Sequence, residues 1–135
     1  MVTEAAHLLQ MRQRLIEGLY TRLGALSVNG DLDSRLPGNL NVSFPGIDGA
    51  DLLFGLRDIA LSSGAACSSK EETSSHVLRA IGLSDDLARA SLRFGLGRFN
   101  TMEEVEFAID RVAAEIERMN SNLATEVKAR ELTAH

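Results

Sequence analysis

Thr101-Met-Glu-Glu104, followed by Val105, Ile109, Val112, Ile116 and Met119, restricts the fold more than any other stretch. A threonine hydroxyl that accepts from the amide three residues on, and a glutamate that reaches back, close the first turn of a helix reciprocally. Apolar residues at intervals of three and four then place one stripe along that helix from Met102 to Met119, and the stripe has to be buried. A second stripe, Leu8, Met11, Leu15, Leu19, Leu23 and Leu26, predicts another amphipathic helix from about Glu4 to Leu26. Arg12, Arg14, Glu17 and Arg22 fall off that stripe and read as a solvated surface.

Between these helices the period changes. Leu40-Asn-Val-Ser-Phe44 alternates apolar and polar as a half-buried strand does, with Asn29-Gly30-Asp31 and Pro37-Gly38 as turns before it and Pro45-Gly46 ending it. Asp48 caps a helix whose Leu52, Leu53 and Leu56 face inward, with Asp51 near the positive end of the dipole. Ile59-Ala-Leu61 is short and apolar and fits a buried strand. Ser74 or Ser75 caps a short helix holding Val77, Leu78 and Ile81 and stopping near Gly82. Ser84-Asp85-Asp86 starts a further helical turn. In Ser91-Leu-Arg-Phe-Gly-Leu96, Leu92, Phe94 and Leu96 take one face of a strand, so Arg93 leaves the core side. The expected architecture is α+β: a small sheet from the Leu40, Ile59 and Leu92 strands, covered on one face by the first and last helices. Residues 1–120 form the domain. Residues 121–135, where the apolar spacing thins to Leu123, Val127 and Leu132, form a polar tail that is a weakly held helix extension or frayed.

Composition narrows the function. A chain of 135 residues with 44% apolar content has the size for one core. A net charge of −5 with scattered lysines and arginines gives no footprint for nucleic acid or an anionic membrane. No apolar run approaches the roughly 18 to 20 residues of a membrane span, and the first ten residues lack a signal-peptide pattern, so a cytoplasmic location is expected. Three histidines and one cysteine give neither a structural zinc set nor an internal disulfide. Gly95-Leu-Gly-Arg-Phe-Asn100 is not a dinucleotide fingerprint, because its sixth position is Asn and no acidic ribose ligand follows in a βαβ setting.

The single cysteine, Cys67, sits in Leu61-Ser-Ser-Gly-Ala-Ala-Cys-Ser-Ser69. Residues so small do not pack a core, and the segment from Ser63 to Thr73 is expected to be a mobile loop. Cys67 is either a reactive thiol or an inert small hydrophobe; neighbours that are hydroxyls and glycine favour the first. His76 either serves it as acid or base or is an exposed or capping histidine. A thiol on one segment and an arginine on the polar side of a strand make a site for a small carboxylate and its sulfur, since a guanidinium holds a carboxylate by two parallel hydrogen bonds. Alternatively, Arg93 or Arg98 pairs with a structural carboxylate.

Asn39-Leu-Asn-Val-Ser-Phe44, Leu61-Ser-Ser-Gly-Ala-Ala-Cys67-Ser, Val77-Leu-Arg-Ala-Ile-Gly-Leu83 and Leu92-Arg-Phe-Gly-Leu-Gly-Arg-Phe-Asn-Thr101 together resemble the C-terminal part of a cysteine desulfurase. The likeness runs from about residue 5 to residue 119 and is nearest the group serving iron–sulfur cluster assembly and nitrogenase, within the class V aminotransferases. It implies the small domain of a pyridoxal phosphate (PLP) dependent enzyme that takes sulfur from L-cysteine, leaves a persulfide on the loop cysteine and releases alanine. It assigns Cys67 the nucleophile's part and Arg93 the substrate carboxylate, with Asn39 and Asn41 as lesser polar contacts. It also implies a large PLP-binding domain, a homodimer, and an iron–sulfur scaffold or other sulfur-acceptor protein as partner. The family's cofactor lysine, in a histidine-lysine motif, has no counterpart: Lys70 and Lys128 are the lysines of this sequence. The chain is therefore expected to be one part of a larger or split enzyme, inactive without the large domain. Rival readings are a non-catalytic interaction domain that binds a partner subunit or scaffold, and a related PLP-dependent lyase acting on selenocysteine or another amino acid.

Overall fold

A computed structural model describes residues 3–30, 36–62 and 77–133. The helices are α1 (Glu4–Leu23), α2 (Gly49–Ser62) and α3 (Met102–Thr133); the strands are β1 (Ser27–Val28), β2 (Asn39–Ser43), β3 (Ser84–Asp86) and β4 (Ser91–Gly95). The strands form one antiparallel sheet in the order β1-β2-β4-β3.

Local chemistry sets the ends of these elements. The Thr3 hydroxyl accepts from the Ala6 amide (3.1 Å) to start α1, and Gly24, at φ 77°, ends it while its amide donates to the Tyr20 carbonyl. Asp48 accepts from the amides of Ala50 and Asp51 at the head of α2. At α3 the capping box forms as its sequence predicts: the Glu104 amide donates to the Thr101 hydroxyl (3.2 Å), and the Thr101 amide donates to the Glu104 carboxylate (2.9 Å).

The apolar stripes meet in one core. Met11, Leu15 and Leu19 of α1, Leu52 and Leu56 of α2 and Val105, Ile109, Val112 and Ile116 of α3 are buried against Leu40, Val42, Leu92 and Phe94 on one face of the sheet. Met102, at the first position of α3, is exposed. Contacts between α1 and α3 advance together along both helices, from Arg14–Glu106 through Gly18–Ile109 to Arg22–Asp110, so the two helices run parallel. The off-stripe arginines thus do more than face water, because Arg14 and Arg22 pair across that seam.

Three expectations change. Ile59-Ala-Leu61 belongs to α2, not to a strand: nothing between Leu56 and Ile59 breaks a helix, and three apolar residues carry no period of their own. Ser84-Asp85-Asp86 is strand β3, not a helical turn, because β4 supplies the backbone partners that the segment's own weak strand propensity does not. The sheet is completed by the two-residue β1, paired to β2 through Ser27↔Ser43 and Val28↔Val42. The helical turn at 77–80 forms and ends near Gly82, at φ 68°. The helix at the end of the chain continues past Asn120 to Thr133.

Candidate functional site

Alternation along four strands gives the sheet a polar face opposite the core. Asn41 is directly opposite Arg93, and Ser84 faces Arg93 from the other side. Asp86 lies two positions along β3 from Ser84 and so shares its face. This face therefore carries amides, hydroxyls, a carboxylate and a guanidinium where the other carries Leu, Val and Phe.

The polar side chains are linked. Asn29, just past β1, donates through Nδ2 to Asn41 Oδ1 (3.0 Å) and to Ser43 Oγ (2.9 Å). With its oxygen so engaged, Asn41 turns its amide nitrogen toward Asp86 and donates to Oδ2 at 3.1 Å. Asp86 Oδ2 in turn lies 3.6 Å from Arg93 Nη2 and 4.0 Å from Arg89 Nε. Asn41 is 1% exposed and the Asp86 side chain 16%, whereas the Arg93 side chain is 43% exposed. A fixed, mostly buried anion thus stands behind a cation that reaches solvent. Asp86 is thus shared by two guanidiniums, those of Arg93 and Arg89.

Arg93 leaves the core side, as the alternation predicts, and of its two expected roles the pairing with a structural carboxylate is seen here, with Asp86. Arg98 does something else and lies over the Phe99 ring, 4.6 Å from its centroid. The Asn39 carbonyl accepts from Arg12 Nε (3.0 Å), which ties β2 to α1. The glycine-rich stretch before α3 is a connector: Asn100 Oδ1 accepts the Gly97 amide (2.7 Å), and Asn100 Nδ2 donates to the Ala80 carbonyl and to Glu104. Cys67, His76 and the loop from Ser63 to Thr73 lie outside the described residues. Among the described residues, no cluster of His, Cys, Asp and Glu has the makings of a metal site. No described helix is long and apolar enough to cross a membrane.

Asp86, Asn29 and Ser43 were not legible as site residues. Asp86 reads as the start of a helix, and Asn29 as part of a turn. The one signal in the sequence that points to them is the polar alternation of Asn39, Asn41 and Ser43, which marks a whole face rather than single residues.

Comparison with known proteins agrees with this fold. Residues 1–107 match the family described as aminotransferase class-V. The chain belongs to that family. Over 119 residues it is 48% identical to cysteine desulfurase IscS of Aeromonas salmonicida, covering 88% of this chain and 29% of the relative. Over 106 residues it is 53% identical to cysteine desulfurase IscS of Anaeromyxobacter sp. strain K, covering 78% and 26%. This class-V region is homologous to the C-terminal part of IscS. It spans less than a third of the length of the curated relatives it matches. Among solved structures, a NifS-like protein aligns over 84% of this chain and 28% of its own, at TM-score 0.51 and 31% identity. A NifS-like protein from Rickettsia africae aligns at TM-score 0.54, and at 18% identity that likeness is one of fold.

Proposed function

We propose that the chain is the small C-terminal domain of a PLP-dependent cysteine desulfurase, with Cys67 as sulfur acceptor and Arg93 as the clamp for the L-cysteine carboxylate. The observation that carries this reading is the half-exposed Arg93 guanidinium on the polar sheet face, backed by Asp86, in a chain about half identical to IscS proteins. The transfer balances without a further reagent: substrate sulfur bonds to the Cys67 sulfur as its bond to carbon breaks, and L-cysteine plus thiol become L-alanine plus persulfide.

In this proposal Arg93 receives the substrate's carboxylate, and PLP with its lysine belongs to the large domain, because the family's histidine-lysine motif has no counterpart in this sequence. When bound there, the cofactor supplies the electron sink that loosens the carbon–sulfur bond. Within this proposal the assembled enzyme is a cytoplasmic homodimer that hands its sulfur to an iron–sulfur scaffold or another acceptor protein.

Mass spectrometry of the chain, after mixing with L-cysteine and a PLP-loaded large domain, tests the reading. The expected result is a gain of one sulfur on Cys67 and its loss in Cys67→Ala. Tight association with the large domain or a scaffold without that gain overturns the enzymatic reading in favour of an interaction domain. Sulfur or selenium taken only from another amino acid points instead to a related lyase.

A further inference from the structure

We infer that Asp86, held by Asn41, is a positioning residue for Arg93: it fixes the direction of the guanidinium before a carboxylate arrives. The inference rests on the desulfurase reading for its substrate, and on geometry alone for the positioning. An arginine side chain is long and loses considerable rotamer freedom when it binds, so an arm already ordered binds more tightly than a free one. The 3.6 Å separation of Asp86 Oδ2 from Arg93 Nη2 exceeds that of a direct hydrogen bond, so the carboxylate aims the arm by charge without closing on it.

Asp86 suits this task because it is itself fixed. Its Oδ2 accepts from Asn41 Nδ2, whose amide is oriented by the Asn29 bond to its oxygen. Asn41 and Asp86 sit on β2 and β3, the strands on either side of the one that carries Arg93. The bond between them therefore crosses over β4 beside Arg93. Arg89 Nε lies 4.0 Å from the same Asp86 oxygen, so the carboxylate is held by two guanidiniums as well as by the amide. A carboxylate that served only to pair with Arg93 would need no such support.

Two measurements test this. In the 135-residue chain alone, nitrogen-15 NMR of the arginine Nε–Hε groups is expected to show a dispersed Arg93 signal. Asp86→Asn collapses that signal toward the position of a freely rotating arginine and leaves the Arg14 signal in place; Asn41→Ala does the same more weakly. In the chain assembled with a PLP-loaded large domain, Asp86→Asn is expected to raise KM for L-cysteine roughly tenfold at nearly constant kcat. Asp86→Glu recovers most of that loss, which a merely structural defect would not allow. An Arg93 signal unchanged in both variants, or a KM unchanged by Asp86→Asn in an active assembly, overturns the inference. Should the wild-type assembly make no alanine, the desulfurase reading fails, and the NMR result alone decides the positioning role.

Discussion

Gly18 of α1 and Ile109 of α3 approach so closely that a Cβ on Gly18 would overlap the Ile109 side chain. Alanine at Gly18 gains about 1 kcal/mol in helix propensity but forces the packed helices apart, at a cost of roughly 1–3 kcal/mol. Overpacking wins, and Gly18→Ala is expected to lower the urea midpoint with an unchanged slope. Gly30, with open space around its Cβ position, is the control: Gly30→Ala stays within about 0.5 kcal/mol of the parent.

The reciprocal bonds of Thr101 and Glu104 predict a second loss. Thr101→Ala removes the acceptor for the Glu104 amide and is expected to cost about 1 kcal/mol in denaturant unfolding. Thr101→Ser keeps the oxygen and retains most of the stability.

The pair between Arg14 and Glu106 has a pH signature. Its bidentate contact, with Arg14 Nη2 donating to Oε2 at 2.9 Å, holds the Glu106 carboxyl below its ordinary 4.5. A carboxyl depressed in the folded state contributes stability above 4.5, and that contribution is lost as the pH falls through the folded value. Both side chains are half in solvent, so the effect is small. Thermal melts of the parent and Glu106→Gln are expected to differ slightly at pH 7 and to converge in acid.

In the assembled enzyme, Arg93→Ala is expected to weaken binding of L-cysteine by roughly 1.5–3 kcal/mol. Arg93→Lys restores only part of this, because an ammonium does not present two parallel donors. Steady-state kinetics with L-cysteine reads both, and unchanged affinity in Arg93→Ala removes the clamp from the proposal.

What was legible in the chain was whatever repeats with a period. The stripes of α1 and α3, the capping box and the alternation of β2 and β4 read through because each is repeated evidence for one local geometry. The residues that escaped carry no period: Ser84-Asp85-Asp86 is a strand only because β4 lies beside it, and Ile59-Ala-Leu61 suits a helix or a strand until its neighbours decide. The site followed the same division. Arg93 was visible from its place between Leu92 and Phe94, whereas Asp86 becomes part of the site only when β3 folds against β4. Nothing local in Ser-Asp-Asp announces a partner seven residues along the chain.

The sheet's outer strands, β1 and β3, are two and three residues long. Free backbone along a sheet edge is the template on which a foreign strand adds or an aggregate grows, and here each edge is too short to offer a continuous row of donors and acceptors. A protein that docks along β1 or β3 is therefore expected to rely on side chains more than on main-chain hydrogen bonds.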